Sequence, residues 1–206
     1  EETQRGEVGR HDATGASMSE SELIAQLAGL RKENAHLVAY REISQRLLDS
    51  SSLEEVGSIV VDALRRSLPA DCVVMVLAAG SQSDPRPWTH GGDAVCKQLS
   101  EPTRRRLLEY ALQQADPVAE PDAAGLLSRL ELPPSPLLHN LLIAPLRLGV
   151  LSLGAVVACN LTGPEPLSSY LEQLSALLSP VPSAISHTWL LEARGRQARL
   201  LDSIVE

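Results

Sequence analysis

The chain has no phenylalanine at all, and only three tyrosines and two tryptophans in 206 residues. A core must therefore be assembled from Leu, Val, Ile and Ala. The aromatic platforms on which single-stranded nucleic acids stack are missing as well. Positive charge is also scarce, with 18 basic against 26 acidic residues and a net charge of −8. Without a basic stripe the chain is a poor partner for phosphate backbones, and no nucleic acid is expected. The one basic cluster, Arg104, Arg105 and Arg106, runs into Leu107 and Leu108 and reads as a solvated helix face. Cysteine is limited to Cys72, Cys96 and Cys159, far apart and without CxxC spacing. That pattern disfavours both disulfides and zinc, and points to a reducing cytoplasm. No apolar run approaches the roughly 20 residues that span a bilayer, so no membrane insertion is expected. GxSxG, P-loop, HExxH and GxGxxG signatures are all lacking. Glu54 and Glu55 read as the acidic first turn of a helix. The expectation is a chain with no catalytic residue and no metal site, not an enzyme by itself.

What is present is apolar periodicity. With 44% apolar residues, the length suffices for one sizeable core and long flanking helices. Residues 1–20 are polar and carry no recognisable signal peptide. They read as a disordered tail, in part a cloning remnant. From residue 21 to 49 a helix is expected, with Ser19 or Ser21 as its N-cap. Within it Leu23, Leu27, Leu30, Asn34 and Leu37 alternate steps of four and three, the heptad spacing of a coiled coil. Asn34 falls on a core position, where a polar side chain costs stability but favours a parallel, in-register pair. These five residues are the expected dimer interface. The competing reading is an ordinary amphipathic helix with a polar residue at the edge of its stripe.

After the break at Asp49–Ser52, a second helix is expected over Leu53–Leu68, with a capping box from Ser52 to Glu55 and Pro69 as its stop. Cys72–Ala79 reads as a buried strand. A Gly/Ser/Pro-rich loop follows, then a helix over Ala94–Gln114 with a weak spot at Pro102. A brief strand fits Asp116–Pro121, and a helical turn Leu126–Leu130. Asn140–Leu146 and Val150–Cys159 read as a hairpin joined by Arg147, Leu148 and Gly149. A last long helix opens near Leu167, with Pro180 and Pro182 set to kink or interrupt it.

Three stretches together resemble the GAF domain, the small-ligand and sensory module of many bacterial signalling proteins. They are LEEVGSIVVDALRRSLPADCVVMVLAA from Leu53, LLIAPLRLGVLSLGAVVA from Leu141, and YLEQLSALLSPVPSAISHTWLLEA from Tyr170. The resemblance covers roughly Leu53–Leu191, and the paired prolines depart from the usual smooth closing helix. It implies an α+β fold with a central antiparallel sheet, helices on one face and a loop-covered pocket on the other. It also implies a parallel homodimer joined through flanking helices. The expected organisation is a GAF-like domain over residues 50–192 and a signalling helix over 193–206, leading to an output domain such as a histidine kinase or cyclase.

The ligand motifs of such domains are mostly missing. The Asn-Lys…Phe…Asp-Glu motif of cyclic-nucleotide binders needs a Phe, and the Cys-His pair of bilin binders is absent, so both ligands are disfavoured. No arrangement of the cysteines matches the sulfoxide-reductase members. Haem or iron would require His90 or His139. A lone loop histidine is more often a solvated residue, so this too is disfavoured, and the cofactor stays unknown. The pocket candidates are Trp88, His90, Cys96 and His139, with Cys72 and Met75 read as core packing. Trp88 caps either a core or a pocket. Cys96 as a redox-sensing thiol has no support beyond its position. Two functions stay open: a sensory domain relaying a ligand or partner state, and a dimerisation or docking module with a degenerate pocket.

Overall fold

A computed structural model describes residues 20–77, 87–91 and 100–205. In chain order the elements are α1 (Glu20–Leu48), α2 (Leu53–Ser67), β1 (Ala70–Leu77), β2 (Pro87–Gly91), α3 (Glu101–Gln113), β3 (Val118–Glu120), α4 (Ala123–Arg129), β4 (Leu141–Leu148), β5 (Leu151–Leu161), α5 (Leu167–Leu178) and α6 (Val181–Val205). The chain divides into two compact units, 1–35 and 36–206. In the first, the side chains described all belong to α1 and are exposed, Leu23, Leu27 and Leu30 among them.

Helix α2 shows how the second unit is built. Its apolar residues recur on one stripe, and Val56, Ile59, Val60, Ala63 and Leu64 are buried along it. Ser52 caps the start by accepting the Glu55 amide at 3.2 Å. The Glu55 carboxylate reaches back to the Ser51 amide at 2.8 Å, one residue earlier than the expected capping box. The end is set by the Leu68 amide on the Leu64 carbonyl, just before Pro69.

The five strands form one antiparallel sheet in the order β2-β1-β5-β4-β3. β4 and β5 are the expected hairpin, with Gly149 at φ 60° in its turn. Gly154 lies where β5 approaches β1 most closely: a Cβ there would meet the Val76 carbonyl oxygen and sit 2.8 Å from Leu77 Cα. Side chains alternate between two buried faces. The first face joins Val73, Met75, Leu142, Ala144, Val156 and Ala158 to α2, α5, the start of α6, and Ile43 and Leu47 of α1. The second joins Val74, Val76, Ile143, Ala155 and Val157 to Leu107 and Ala111 of α3, and to Leu126 and Leu127 of α4. Each fully buried Leu contributes about 1.5–3 kcal/mol, so both faces add substantially to stability. The second face therefore carries two helices of its own.

Of the two expected effects of the prolines, interruption is the one found. The expected closing helix is divided at Ser179 and Pro180 into α5 and α6. Pro102 sits in the first turn of α3, where its missing amide costs nothing. The expected beginning of that helix at Ala94 lies outside the described residues.

Candidate functional site

The second face of the sheet is where a pocket is expected, and its border is built from polar backbone contacts. Between α4 and β4 the chain carries Pro133, Pro134 and Pro136 and has little regular structure. Leu138 of this strap is buried in the second face. An irregular segment has backbone groups that need partners, and here asparagines supply them. Asn160, at the end of β5, adopts φ 54° and is only 4% exposed. Asparagine is among the few residues that tolerate this left-handed backbone. Its Oδ1 accepts the His139 amide at 2.9 Å, and its Nδ2 donates to the Leu137 carbonyl at 2.6 Å and to Asp71 Oδ2 at 3.2 Å. Asn140 completes the clasp: its Oδ1 accepts the Leu161 amide at 2.7 Å, and its carbonyl accepts the Asn160 amide at 2.9 Å.

The expected pocket residues are not gathered by what the structure describes. In the register of β2 against β1, Trp88 stands opposite Met75 and His90 opposite Val73. Cys96 lies outside the described residues. His139 is held through its backbone, with its amide on Asn160 and its carbonyl accepting the Ala123 amide at 3.0 Å, while its side chain is exposed. Met75 packs in the first face and Cys72 in the second, both fully buried, as core residues would. Among the described residues, no group of three or more His, Cys, Asp or Glu side chains is arranged to hold a metal.

The cysteines bring a correction. Cys72 is disulfide-bonded, against the expectation drawn from an odd count and wide spacing. Spacing along the chain carries no information on which segments the sheet brings together. Cys159 stands opposite Cys72 in the β1–β5 register and is a free, buried thiol. Burial, with the nearby Asp71 carboxylate adding to it, pushes its pKa up to about 12. At neutral pH it is a protonated apolar side chain, not a nucleophile.

The expected dimer residues share a different setting. Leu23, Leu27, Leu30 and Leu37 are 48–62% exposed, and Asn34 is exposed beside them. Sequence reasoning passed over Asn160, Asn140 and Glu192. An Asn directly after an apolar strand was the one signal available for the first of these, since it is a common marker of a left-handed residue.

No family model matches the chain, and no curated protein does. Solved structures do. The GAF domain of an Acinetobacter phosphoenolpyruvate-protein phosphotransferase aligns with a TM-score of 0.59 at 18% identity, covering 76% of this chain and 96% of that one. The GAF domain of a putative sensor histidine kinase from Pseudomonas syringae pv. tomato gives 0.59 at 16% identity, covering 84% and 99%. Residues 122 to 287 of a methyl-accepting chemotaxis protein give 0.57 at 17% identity, covering 73% and 99%. No helix among the described residues is long and apolar enough to cross a membrane. With its five antiparallel strands closed by α2, α5 and α6 on one face, this chain has the GAF fold.

Proposed function

We propose that the chain is a regulatory, sensory domain of a signal-transduction protein, working as a parallel homodimer. In this reading its state passes through α1 and α6 to an output domain. The observation that carries it is the α1 stripe. On a chain with the GAF fold, Leu23, Leu27, Leu30 and Leu37 hold heptad spacing and stay exposed, and Asn34 occupies one core position. An apolar seam of that spacing is covered by a second helix of the same kind, and Asn34 meeting its own copy fixes direction and register. A ligand or partner would act through its difference in affinity for two arrangements of the domain.

The buried apolar side chains of the second face support a second reading. Leu126, Leu127, Leu141 and Ile143 fill it with the chain's own side chains, as suits a dimerisation or docking module that binds no small molecule. Two experiments separate these readings. Leu30→Cys in the otherwise native chain, whose Cys72 is disulfide-bonded and whose Cys159 is buried, should crosslink two copies at micromolar concentration. A chain that stays monomeric by light scattering and never crosslinks overturns the homodimer. Native mass spectrometry of freshly purified protein should show a bound small molecule if the domain senses one. Bare-chain mass, with no thermal shift across a metabolite panel, favours the docking module.

A further inference from the structure

Helix α6 packs against the domain along its first half. Val181, Ile185 and Thr188 are fully buried, and Trp189 packs partly buried against the first face. Beyond Ala193, the side chains that are described, Arg194, Gly195 and Gln197, are all exposed. At the changeover stands Glu192, whose Oε1 accepts the Leu53 amide at 3.5 Å across 139 residues of sequence. Leu53 is the first residue of α2 and its amide is one of the donors a helix leaves unpaired. The carboxylate also lies toward the positive end of the α2 dipole.

We propose that Glu192 is a release latch that sets the point at which α6 comes free of the domain. Two opposing terms make it releasable. The Leu53 amide and the helix dipole attract the carboxylate, while Glu54 and Glu55 in the same first turn repel it. The contact is long for a hydrogen bond, so it is a weak one. Latched, α6 is tied to α2 through residue 192. Released, α6 keeps the buried contacts of Thr188 and Trp189 and loses this tie to α2. At its other end α2 reaches α1 through Arg66 and Glu42, 3.4 Å apart and both about half exposed, a pair that solvent screens. At the Leu53 end, Glu192 supplies a polar tie between α2 and the C-terminal helix. The use of such a latch in signalling rests on the relay reading above, but the contact lies within one copy and its test needs no partner.

The test is amide hydrogen exchange on the full chain, read over residues 190–197 and, as a control, over β5. Ala is the better helix former, so Glu192→Ala would slow exchange in α6 if propensity alone mattered. The latch requires the opposite, a rise of fivefold or more over 190–197 with β5 unchanged. Glu192→Lys should raise it further, and Glu54→Gln should lower it below the wild-type rate. Leu53→Pro removes the amide at a helix position that accepts proline. In that background Glu192→Ala should add nothing. Wild-type exchange in Glu192→Lys, a parallel rise across β5, or a full additional effect in the Leu53→Pro background would each overturn the latch. A monomeric chain that shows the expected pattern would keep the latch and discard the dimer relay.

Discussion

The two faces of the sheet are closed by different means. Over the first lie α2, α5 and α6, helices that satisfy their own backbone and offer a continuous apolar stripe. Over the second lie α3, the seven-residue α4 and the strap that inserts Leu138. A strap cannot satisfy its own amides and carbonyls, so polar side chains must. The Asn160–Asn140 clasp stands for that reason at the border of the second face, where irregular chain crosses it. Sheet faces with similar apolar strands thus differ in what closes them, and the side chains of Asn140 and Asn160 serve backbone groups where the closing element is not a helix.

The comparison breaks if both faces respond alike to cavities. Leu142→Ala in the first face, fully buried beneath helices that cannot collapse onto it, should cost about 4 kcal/mol. Leu138→Ala in the second should cost about 2 kcal/mol, because a strap relaxes into the space. Urea unfolding of the two variants measures both losses, and equal values would mean that the strap is as rigid as a helix. The clasp itself offers a sharper handle. Asn160→Ala strands the His139 amide and forces a Cβ-bearing residue without a polar group into φ 54°, for a loss of about 3 kcal/mol. Asn160→Gly keeps the backbone conformation and loses only the bonds, so it should fall about 1 kcal/mol short of the Ala variant. If Gly proves as costly as Ala, the left-handed backbone contributes nothing.

At neutral pH the smallest effect is electrostatic, and it separates the faces only as the pH rises. The folded pKa of Cys159, about 12, lies above the ordinary thiol value of 9.0. The folded state therefore holds a proton that the unfolded chain gives up between these values. Stability from this group is complete below pH 9 and is lost as pH rises toward 12, with a slope of at most about 1.4 kcal/mol per pH unit. Cys159→Ala should flatten that alkaline decline in a series of urea titrations, while Met75→Leu in the first face should leave it unchanged. An identical decline in wild type and Cys159→Ala would remove the buried thiol as its source.

Much of the first face was legible because helices and strands announce themselves by period. The stripe of α2, the run from Cys72 and the β4–β5 hairpin each follow from residues within one segment. The second face was less legible, since its closure depends on residues that meet only after folding. Asn160 and Leu137 are 23 residues apart, and Asn160 and Asp71 are 89 apart. The same holds for Glu192 and Leu53, and for the disulfide at Cys72. Even a strong period leaves one matter open. The stripes of α1 and α2 are both apolar, yet α2 is covered by its own chain and the Leu23–Leu37 stripe is exposed. Period says that a stripe seeks cover, and not what provides it.

The break at Ser179 and Pro180 has a mechanical side. A single rod from Leu167 onward would deliver torque from its far end straight to Tyr170 and Leu174, both deep in the first face. Two prolines without amides interrupt the hydrogen-bond ladder at that point. Torsion entering along α6 therefore meets the first face at Val181 and Ile185 before it reaches α5. The division gives the core two separate grips, one on each helix.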